Sequence, residues 1–178
     1  MKKATKTAPA IDRRFARFEL RTGGSPIQGT GVFAREKIPA RKMVIEYTGE
    51  KVRMKEALRR LTRVWSPGGS KCVLIFELNE RWCVDAGRGG SGAELINHCC
   101  DPNLVTRIIR GRIFFFSRRR IRAGEELTLD YRFHPDVLQV PCACGSPKCR
   151  GTINLKRNLG RDAAEVGGGG RRRRKHQV

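Results

Sequence analysis

The sequence predicts a mainly β fold, a β-rich α+β domain with few short helices. Its apolar residues occur in short runs of β-branched and aromatic side chains, separated by loops that contain glycine and proline. Only one segment, residues 52–65, has apolar residues at helical spacing. A chain of 178 residues is long enough for one domain with a core, so we expect a single domain with tails.

The predicted elements follow one another along the chain. After a turn at residues 22–26, residues 27–34 place two glycines around Thr30 and then continue as an apolar strand. Those glycines suit a close backbone approach to a ligand, and a plain hairpin turn is the alternative. Further strands are predicted at residues 43–47, 72–78, 82–84, 105–109, 113–116 and toward the end of 124–131.

The charge of the chain is strongly basic, with 38 Lys and Arg against 17 Asp and Glu and a net charge of +21. Residues 1–14 hold five basic residues and one acid, and residues 161–178 hold six basic residues and two acids. Most of the excess therefore belongs to the middle of the chain. We expect DNA or RNA to contact the basic surface and the tails, although a basic surface that only aids solubility is the alternative.

Seven cysteines and the absence of an apolar segment at the start of the chain predict an intracellular, reduced setting. Thiols that are free or bound to metal are then expected rather than disulfides. No apolar run approaches the roughly 20 residues that a membrane-spanning helix needs. We therefore expect no membrane contact.

Residues 96–103, with the sequence INHCCDPN, place an amide, an imidazole and two thiols beside a turn proline. Asn, Asp and Pro are ordinary turn residues, but the imidazole and the thiols add ligand types. The segment predicts backbone shaped for a ligand or a metal. A turn with incidental cysteines is the alternative.

Three cysteines, Cys142, Cys144 and Cys149, lie within eight residues near the end of the chain. In a reduced compartment they indicate a tetrahedral zinc site that lacks one ligand. A redox pair is the alternative, but such pairs have two intervening residues, and one residue separates Cys142 from Cys144. Candidates for the fourth ligand are Cys72, Cys83, Cys99, Cys100 and His134, of which the pair in INHCC is favoured because Cys72 and Cys83 fall within strand patterns.

Six motifs occur in a fixed order: GTGVFA at 29–34, EYTGE at 46–50, VDA at 84–86, INHCCDPN at 96–103, GEELTLDY at 124–131 and the cysteine triplet at 142–149. Together they resemble the SET domain of protein-lysine methyltransferases with its post-SET zinc segment, over about residues 15–155. The resemblance implies a fold of small curved sheets in which the Asn-His segment and the chain around Tyr131 form a pseudoknot.

The resemblance also implies the site residues. It makes Gly29, Thr30 and Gly31 backbone contacts to S-adenosylmethionine, and it places Asn97 and His98 at the amino acid and adenine ends of that molecule. Tyr131 matches the catalytic tyrosine, which also contacts the cofactor. The four ligands of a structural Zn²⁺ match Cys100, Cys142, Cys144 and Cys149.

Five positions depart from the family pattern. Ser91 and Glu94 stand where the family usually has Asn and Arg, which puts the support of the cofactor loop in question. Leu74 and Leu129 stand in the substrate channel at positions that are often aromatic. Because a tyrosine hydroxyl at position 129 tends in the family to restrict the product to monomethyl-lysine, we expect di- or trimethylation to be sterically allowed. Cys99 stands where the family often has Ser, and we expect it to be a packed thiol.

The predicted organisation is a flexible basic arm at 1–14, a SET domain at 15–135, a post-SET zinc segment at 136–155 and a flexible basic Gly/Arg tail at 156–178. The predicted function is methyl transfer from S-adenosylmethionine to the ε-amine of a lysine in a histone, a histone-like protein or another nucleic-acid-associated basic protein. We expect a monomer at chromatin or the nucleoid, in the nucleus of a eukaryote or the cytoplasm of a bacterium. The alternative function is a zinc-stapled nucleic-acid-binding module with a degenerate methyltransferase site.

Overall fold

The computed structural model describes residues 10–65 and 74–156, which form a β-rich domain. Cys72, most of the basic arm and nearly all of the Gly/Arg tail lie outside the described residues. The described part holds one α-helix, α1 (Met54–Trp65), and a single-turn 3₁₀ helix at Ala93–Leu95. Its strands are β1 (Leu20–Gly24), β2 (Thr30–Ala34), β3 (Met43–Tyr47), β4 (Glu50–Arg53), β5 (Ile75–Asn79), β6 (Trp82–Asp85), β7 (Asn97–His98), β8 (Leu104–Ile109), β9 (Arg112–Ser117) and β10 (Thr128–Leu129).

The strands form four small sheets, as the sequence predicts. β1 and β2 form an antiparallel hairpin, and two antiparallel sheets have the strand orders β3-β9-β8 and β4-β6-β5. β7 pairs in parallel with β10, although about thirty residues separate them in the sequence. This parallel pair joins the INHCC segment to the chain before Tyr131, the two segments that the family resemblance places in a pseudoknot.

Two local predictions are wrong. The turn expected at residues 22–26 begins later, because Thr22 to Gly24 continue β1 and pair with β2. The helix begins at Met54 rather than at residue 52, because Val52 and Arg53 pair with β6. Within α1, Ala57 is buried but Leu58 is 56% exposed, so the apolar stripe of the helix is covered only in part.

One hydrophobic core connects the sheets. Its fully buried side chains include Val32 from β2, Ile45 from β3 and Phe115 from β9. Phe115 also contacts the rings of Tyr47 and Phe76, with centroids 5.9 and 6.0 Å away. Packed aromatic rings have well-defined positions, so this cluster forms a fixed wall for the cavity described below.

Part of the predicted arm is docked on this domain. The N–H of Asp12 donates to the carbonyl of Ser91 at 2.9 Å, and Ile11 packs against the core next to Gly92. Within the described ranges, no helix is long and apolar enough to cross a membrane.

The last part of the described chain, residues 134–156, is here called the cysteine segment. The described structure gives it no strands, only the isolated bridges Phe133–Asn154 and Pro141–Thr152. Its organising residue is Asn154, which is fully buried. The Asn154 Nδ2 donates to the His134 carbonyl at 3.0 Å, and its Oδ1 accepts from the Val140 N–H at 3.1 Å. One amide side chain thus supplies the backbone pairing that a strand would otherwise provide.

Candidate active site and metal centre

The Gly29–Gly31 loop is fixed by the buried amide of Asn97. Asn97 Nδ2 lies 3.1 Å from the Gln28 carbonyl oxygen, 3.3 Å from the Thr30 carbonyl oxygen and 3.0 Å from Glu126 Oε1. The predicted cofactor loop and the predicted Asn-His segment therefore meet. β7 is buried and paired with β10, so the loop is positioned by hydrogen bonds to a residue in a strand.

Glu126 is the residue that sequence reasoning missed in this part of the site. Its carboxylate accepts from Ser25 Oγ at 2.8 Å as well as from Asn97. A Cβ added to Gly31 would lie 2.3 Å from Glu126 Oε1, so a side chain there would displace the carboxylate from its partners. Gly29 is glycine for a different reason, since its φ of +48° favours a residue without a side chain. The GEELTLDY motif contained Glu126, but no local pattern indicated its distant partners.

His98 connects the two halves of the site. Its Nδ1 accepts the N–H of Tyr131 at 3.1 Å, and its Nε2 lies 3.4 Å from Cys100 Sγ. Burial lowers the pKa of the His98 imidazole, and the Asp130 carboxylate only partly opposes this effect. The ring is therefore neutral near pH 7, and an accepting Nδ1 leaves its proton on Nε2, facing the sulfur.

Tyr131 follows β10 directly and lies beside the histidine. Its hydroxyl donates to the Ile96 carbonyl at 2.8 Å. Its ring centroid is 5.4 Å from that of His98 and 5.9 Å from that of Phe133, which stacks on it. The side chain is 37% exposed. The strand pair thus brings Asn97, His98 and Tyr131 together, as predicted.

An apolar cavity of about 730 Å³ opens beside Tyr131. Its wall is largely aromatic and aliphatic, and it includes Tyr47, Phe76, Phe115, Ile96, Leu129 and residues of α1. Leu129 lines this cavity. Leu74 is not among the lining residues. Its carbonyl oxygen accepts a hydrogen bond from the Tyr47 hydroxyl at 2.5 Å and thereby orients the Tyr47 ring, which does line the cavity.

Ser91 and Glu94 both support the loop that precedes β7. The hydroxyl of the buried Ser91 donates to the Glu46 carbonyl at 2.5 Å. Glu94 lines the cavity and accepts the N–H of Gly92 at 2.8 Å through Oε2. Burial raises the pKa of this carboxyl group. The two departures from the family pattern therefore retain structural contacts.

Four cysteines form a cluster that could hold a metal ion. The Sγ atoms of Cys100, Cys142, Cys144 and Cys149 all lie within 4.8 Å of one another. Bonds of about 2.3 Å in a tetrahedral ZnS₄ site place sulfurs roughly 3.8 Å apart, and Cys100 and Cys142 are 3.8 Å apart. Burial raises the pKa of the Cys100 thiol, and the N–H of Arg150, which points at Cys100 Sγ at 3.3 Å, opposes this effect by favouring a thiolate. The donor set fits a closed structural zinc site.

Of the other candidate ligands, Cys83, Cys99 and His134 lie outside this cluster, and Cys72 is not among the described residues. Burial raises the pKa of the Cys99 thiol to about 11, which agrees with the expected packed and unreactive group. Cys83 is buried beside Met54 Sδ, and the exposed His134 accepts the N–H of Asp136. For Cys144, burial opposes ionisation, yet hydrogen bonds from backbone groups and neighbouring thiols lower its pKa to about 6.

An ion pair ties the cysteine segment to the chain before Tyr131. Arg150 Nη1 and Nη2 lie 2.9 and 2.8 Å from the two carboxylate oxygens of Asp130. Burial opposes the ionisation of Asp130, but the Arg150 hydrogen bonds hold the pKa of the carboxyl group below its ordinary value. The cysteine cluster and the Asn97–Tyr131 site are therefore connected through Asp130 as well as through His98.

Comparisons with known proteins agree with this geometry. The family model for the SET domain matches residues 29–132. One chain in the crystal structure of an active polycomb repressive complex 2 in the stimulated state is similar in fold, with a TM-score of 0.63 and 34% sequence identity. The match covers 68% of this chain and 16% of that chain.

Three curated relatives are named as histone-lysine N-methyltransferases. Set1 of Dictyostelium discoideum is 41% identical over 134 residues, which cover 73% of this chain and 9% of the relative. The H3 lysine-4 specific enzyme of Saccharomyces cerevisiae is 41% identical, covering 73% of this chain and 13% of the relative. Human SETD1A is 37% identical, and the match covers 79% of this chain and 8% of the relative. This chain thus spans only a small fraction of the length of these relatives.

Proposed function

Because the chain belongs to the SET domain family, we propose that it is a protein-lysine N-methyltransferase that uses S-adenosylmethionine. The observation that carries the proposal is the meeting of Tyr131, His98 and the Asn97-bound loop beside an apolar cavity. Methyl transfer requires in-line positioning and a suitable electrostatic environment more than it requires acid or base side chains. A site with few polar groups fits that requirement.

The cofactor would bind to the backbone of Gly29, Thr30 and Gly31 and to Asn97, His98 and Tyr131. Two observations support this assignment. Asn97 contacts the Thr30 carbonyl and Glu126, and no atom lies within 4 Å of the position that a Cβ of Gly29 would occupy. When bound, S-adenosylmethionine supplies an electrophilic methyl group on a sulfonium sulfur. The neutral His98 adds no second positive charge beside it.

The lysine would enter the apolar cavity beside Leu129 and Tyr131. Near pH 7.4 only about one lysine in a thousand is neutral, because its ordinary pKa is about 10.4. An apolar wall disfavours the ammonium form and so raises the neutral fraction. With its proton donated to Ile96, the Tyr131 oxygen can accept a hydrogen bond from the amine and orient it.

The four-cysteine cluster would hold a structural Zn²⁺. Its role is to keep the cysteine segment against Asp130 and His98, at the edge of the cofactor site. Closed sites with four thiolates have no open position for catalysis. The metal would thus stabilise the fold and take no part in the methyl transfer.

Histones, histone-like proteins and other nucleic-acid-associated proteins are the proposed substrates. The names of the relatives support this class, and the net charge of +21 supports contact with DNA or RNA that carries the substrate. The relatives named above are all eukaryotic, which favours chromatin over the nucleoid as the place of action. We further propose a monomer as the active form.

The product is proposed to extend beyond monomethyl-lysine, because Leu129 places no hydroxyl in the cavity wall at its position. Mass spectrometry of a methylated peptide should show di- or trimethyl-lysine at long incubation. Replacement of Leu129 by Tyr should shift the product toward monomethyl-lysine. A wild-type enzyme that stops at one methyl group with excess cofactor would contradict this prediction.

The decisive test is incubation of the full chain with S-adenosylmethionine labelled in the methyl group and a panel of histones, histone-like proteins and ribosomal proteins. Label in at least one protein, lost with Tyr131→Phe, is the expected result. The alternative function, a zinc-stapled nucleic-acid-binding module, predicts no binding of S-adenosylmethionine by calorimetry. The loop contacts of Ser91 and Glu94 count against that alternative, which rests on Ser91, Glu94, Leu74 and Leu129.

A further inference from the structure

A basic surface lies apart from the cavity and is formed by two neighbouring segments, residues 35–42 and 117–122. Ile38 and Ile121 exchange backbone hydrogen bonds of 3.0 and 2.9 Å, and Ser117 accepts the N–H of Arg41 at 2.8 Å. We call this surface the basic face. Its cations are Arg35, Lys37, Arg41, Lys42, Arg118, Arg119, Arg120 and Arg122, all of them exposed.

The pairing of these segments explains why the charges gather on one side. Ile38, Ser117 and Ile121 are buried and anchor the segments to the core. Side chains alternate between the two sides of extended backbone, so the neighbours of Ile38 and Ile121 face solvent. The antiparallel Ile38–Ile121 bridge sets Lys37 opposite Arg122. Like charges directly opposite one another destabilise a strand pair, which suggests that a partner compensates for them.

Little negative charge neutralises the basic face. Glu125 pairs with Arg119 at 2.6 Å, and Glu36 accepts the N–H of Glu19. The Asp101 carboxylate interacts electrostatically with Arg118 and Arg119, but it forms its ion pair with Lys148 at 3.0 Å. Within residues 10–65 and 74–156, the structure gives the other seven cations of the face no ion-pair partner. An open depression lies among Arg119, Arg120 and Arg122, and Glu125 also lines it. The face thus presents a concave group of guanidinium ions to solvent.

We infer that the basic face binds the phosphate backbone of a nucleic acid. Arginine supplies most of its cations, and the planar guanidinium group suits bidentate contacts with phosphate oxygens. A membrane surface is the weaker alternative, because proteins that lie on membranes also insert apolar side chains. The exposed uncharged residues of the face are Pro39 and Ala40.

This inference deepens the proposed function, on which it rests for the biological role of the contact. None of the cations of the basic face lines the apolar cavity. A nucleic acid on the face therefore leaves the cavity open to a lysine. The enzyme would bind the polyanion that carries its substrate, which resolves the repulsion between a basic enzyme and a basic substrate.

The test compares two charge-matched triple variants of the full chain. The first, Lys37→Gln/Arg120→Gln/Arg122→Gln, neutralises the basic face. The control, Lys55→Gln/Arg81→Gln/Arg110→Gln, neutralises three exposed cations elsewhere that also have no ion-pair partner within the described ranges. Both keep the tails and the same net charge. Exposed substitutions of this kind change stability little, and thermal unfolding of each variant verifies this.

The measurement is fluorescence anisotropy with a labelled 20-base-pair DNA duplex and a labelled single-stranded RNA, at several salt concentrations. Loss of three phosphate contacts should weaken binding about tenfold or more and lower the salt slope of log K by about 2 to 3. The control should bind within about twofold of wild type. Equal losses in both variants, or no loss in the first, would overturn the inference. Binding to anionic vesicles without binding to either nucleic acid would also overturn it.

Methylation of a free peptide separates this inference from the proposed function. Both triple variants should methylate the peptide as well as wild type does. If wild type does not methylate any substrate and the basic face still binds duplex, the proposed function fails and the inference stands. If methylation occurs and neutralising the basic face does not weaken duplex binding, only the inference fails.

Discussion

The two halves of the site are built in different ways. The sheet half, β7 and β10 with Asn97, His98 and Tyr131, is attached to the hydrophobic core through Ile96, Leu127 and Leu129. The cysteine segment contributes almost nothing to that core, and individual polar side chains and four thiols hold it together. Apolar burial fixes the first half, and specific polar contacts with a proposed metal fix the second.

This difference predicts which part of the site can unfold by itself. A core-anchored element opens only when the whole domain unfolds, whereas a segment with few buried apolar groups can open locally. The cysteine segment should therefore respond to metal loss while the sheet half remains folded. The contacts that join the halves, at His98 and Asp130, should transmit only part of that response.

Removal of zinc should have the largest effect. Structural zinc sites contribute apparent binding energies of about 10–16 kcal/mol, far more than the other contacts of the cysteine segment. After chelation, limited proteolysis should cut within residues 136–155, and calorimetry should show cofactor affinity at least about tenfold weaker. Circular dichroism of the sheets should change little.

Cys100→Ser should reproduce these effects, because it removes one ligand of the cluster. Cys99→Ser is the matched control, since this neighbouring thiol is buried outside the cluster, and it should keep both the metal and the cofactor affinity. Full cofactor affinity in the chelated protein would show that the two halves are independent. Re-addition of Zn²⁺ should restore protection from proteolysis.

Tyr131→Phe should have the next largest effect, and it acts within the sheet half. Loss of one positioned hydroxyl in a transition state costs about 10²–10³ in rate, or about 2.7–4 kcal/mol. The cofactor dissociation constant should stay within about threefold, because the ring and its contacts remain. Steady-state kinetics and calorimetry separate the two quantities.

Tyr47→Phe is the control for that variant. It also removes a hydroxyl from the cavity wall, but that hydroxyl donates to the Leu74 carbonyl. The cost should appear as about 1 kcal/mol of stability and not as a large loss of rate. Unchanged turnover in Tyr131→Phe would refute the catalytic assignment.

Glu126→Gln should weaken cofactor binding by about tenfold. The carboxylate accepts from both Ser25 and Asn97, and an amide replaces one accepting oxygen by a donor. An unsatisfied or mispaired partly buried group costs about 1–3 kcal/mol. Calorimetry with S-adenosylmethionine measures the effect.

The adjacent Glu125 supplies a matched control. Its carboxylate faces Arg119 and Asn103 rather than the Asn97 loop. Glu125→Gln should reduce stability by a similar amount while leaving cofactor affinity unchanged. Equal affinity losses in the two variants would mean that Glu126 acts through general stability.

The sequence predicts the sheet half better than the cysteine segment. Short β-prone runs predict the strands, and helical spacing predicts the helix, because burial pattern determines those features. The convergence of Asn97, His98 and Tyr131 is implied only by the family resemblance. The grouping of Cys100 with the three later cysteines is confirmed, and zinc within it stays a prediction. The catalytic and cofactor-binding roles also stay predictions.

The polar residues that organise the site were beyond sequence reasoning. Glu126, Arg150 and Asn154 each act through partners that are distant in the chain or are backbone atoms, and no local period indicates such partners. The predicted turn at Thr22 failed for a related reason. Glycine favours turns by local propensity, but strand pairing with Gly31 overrides that propensity.

The smallest expected effect concerns the Asp130–Arg150 pair, which joins the two halves. Both side chains are largely buried, at 23% and 17% exposure, and the contact is bidentate. Asp130→Asn and Arg150→Gln should each lower the free energy of unfolding by about 1–2 kcal/mol, with a coupling energy of about 1 kcal/mol in the double-mutant cycle. Denaturant unfolding of the zinc-loaded protein measures these values. Chelation should abolish the coupling if the metal is needed to keep Arg150 against Asp130, because the arginine then moves away with its segment. A coupling energy that survives chelation would mean that this ion pair and Asn154 hold the cysteine segment in place without metal. The proposed difference between the sheet half, held by apolar burial, and the cysteine segment, held by a metal, would then be wrong.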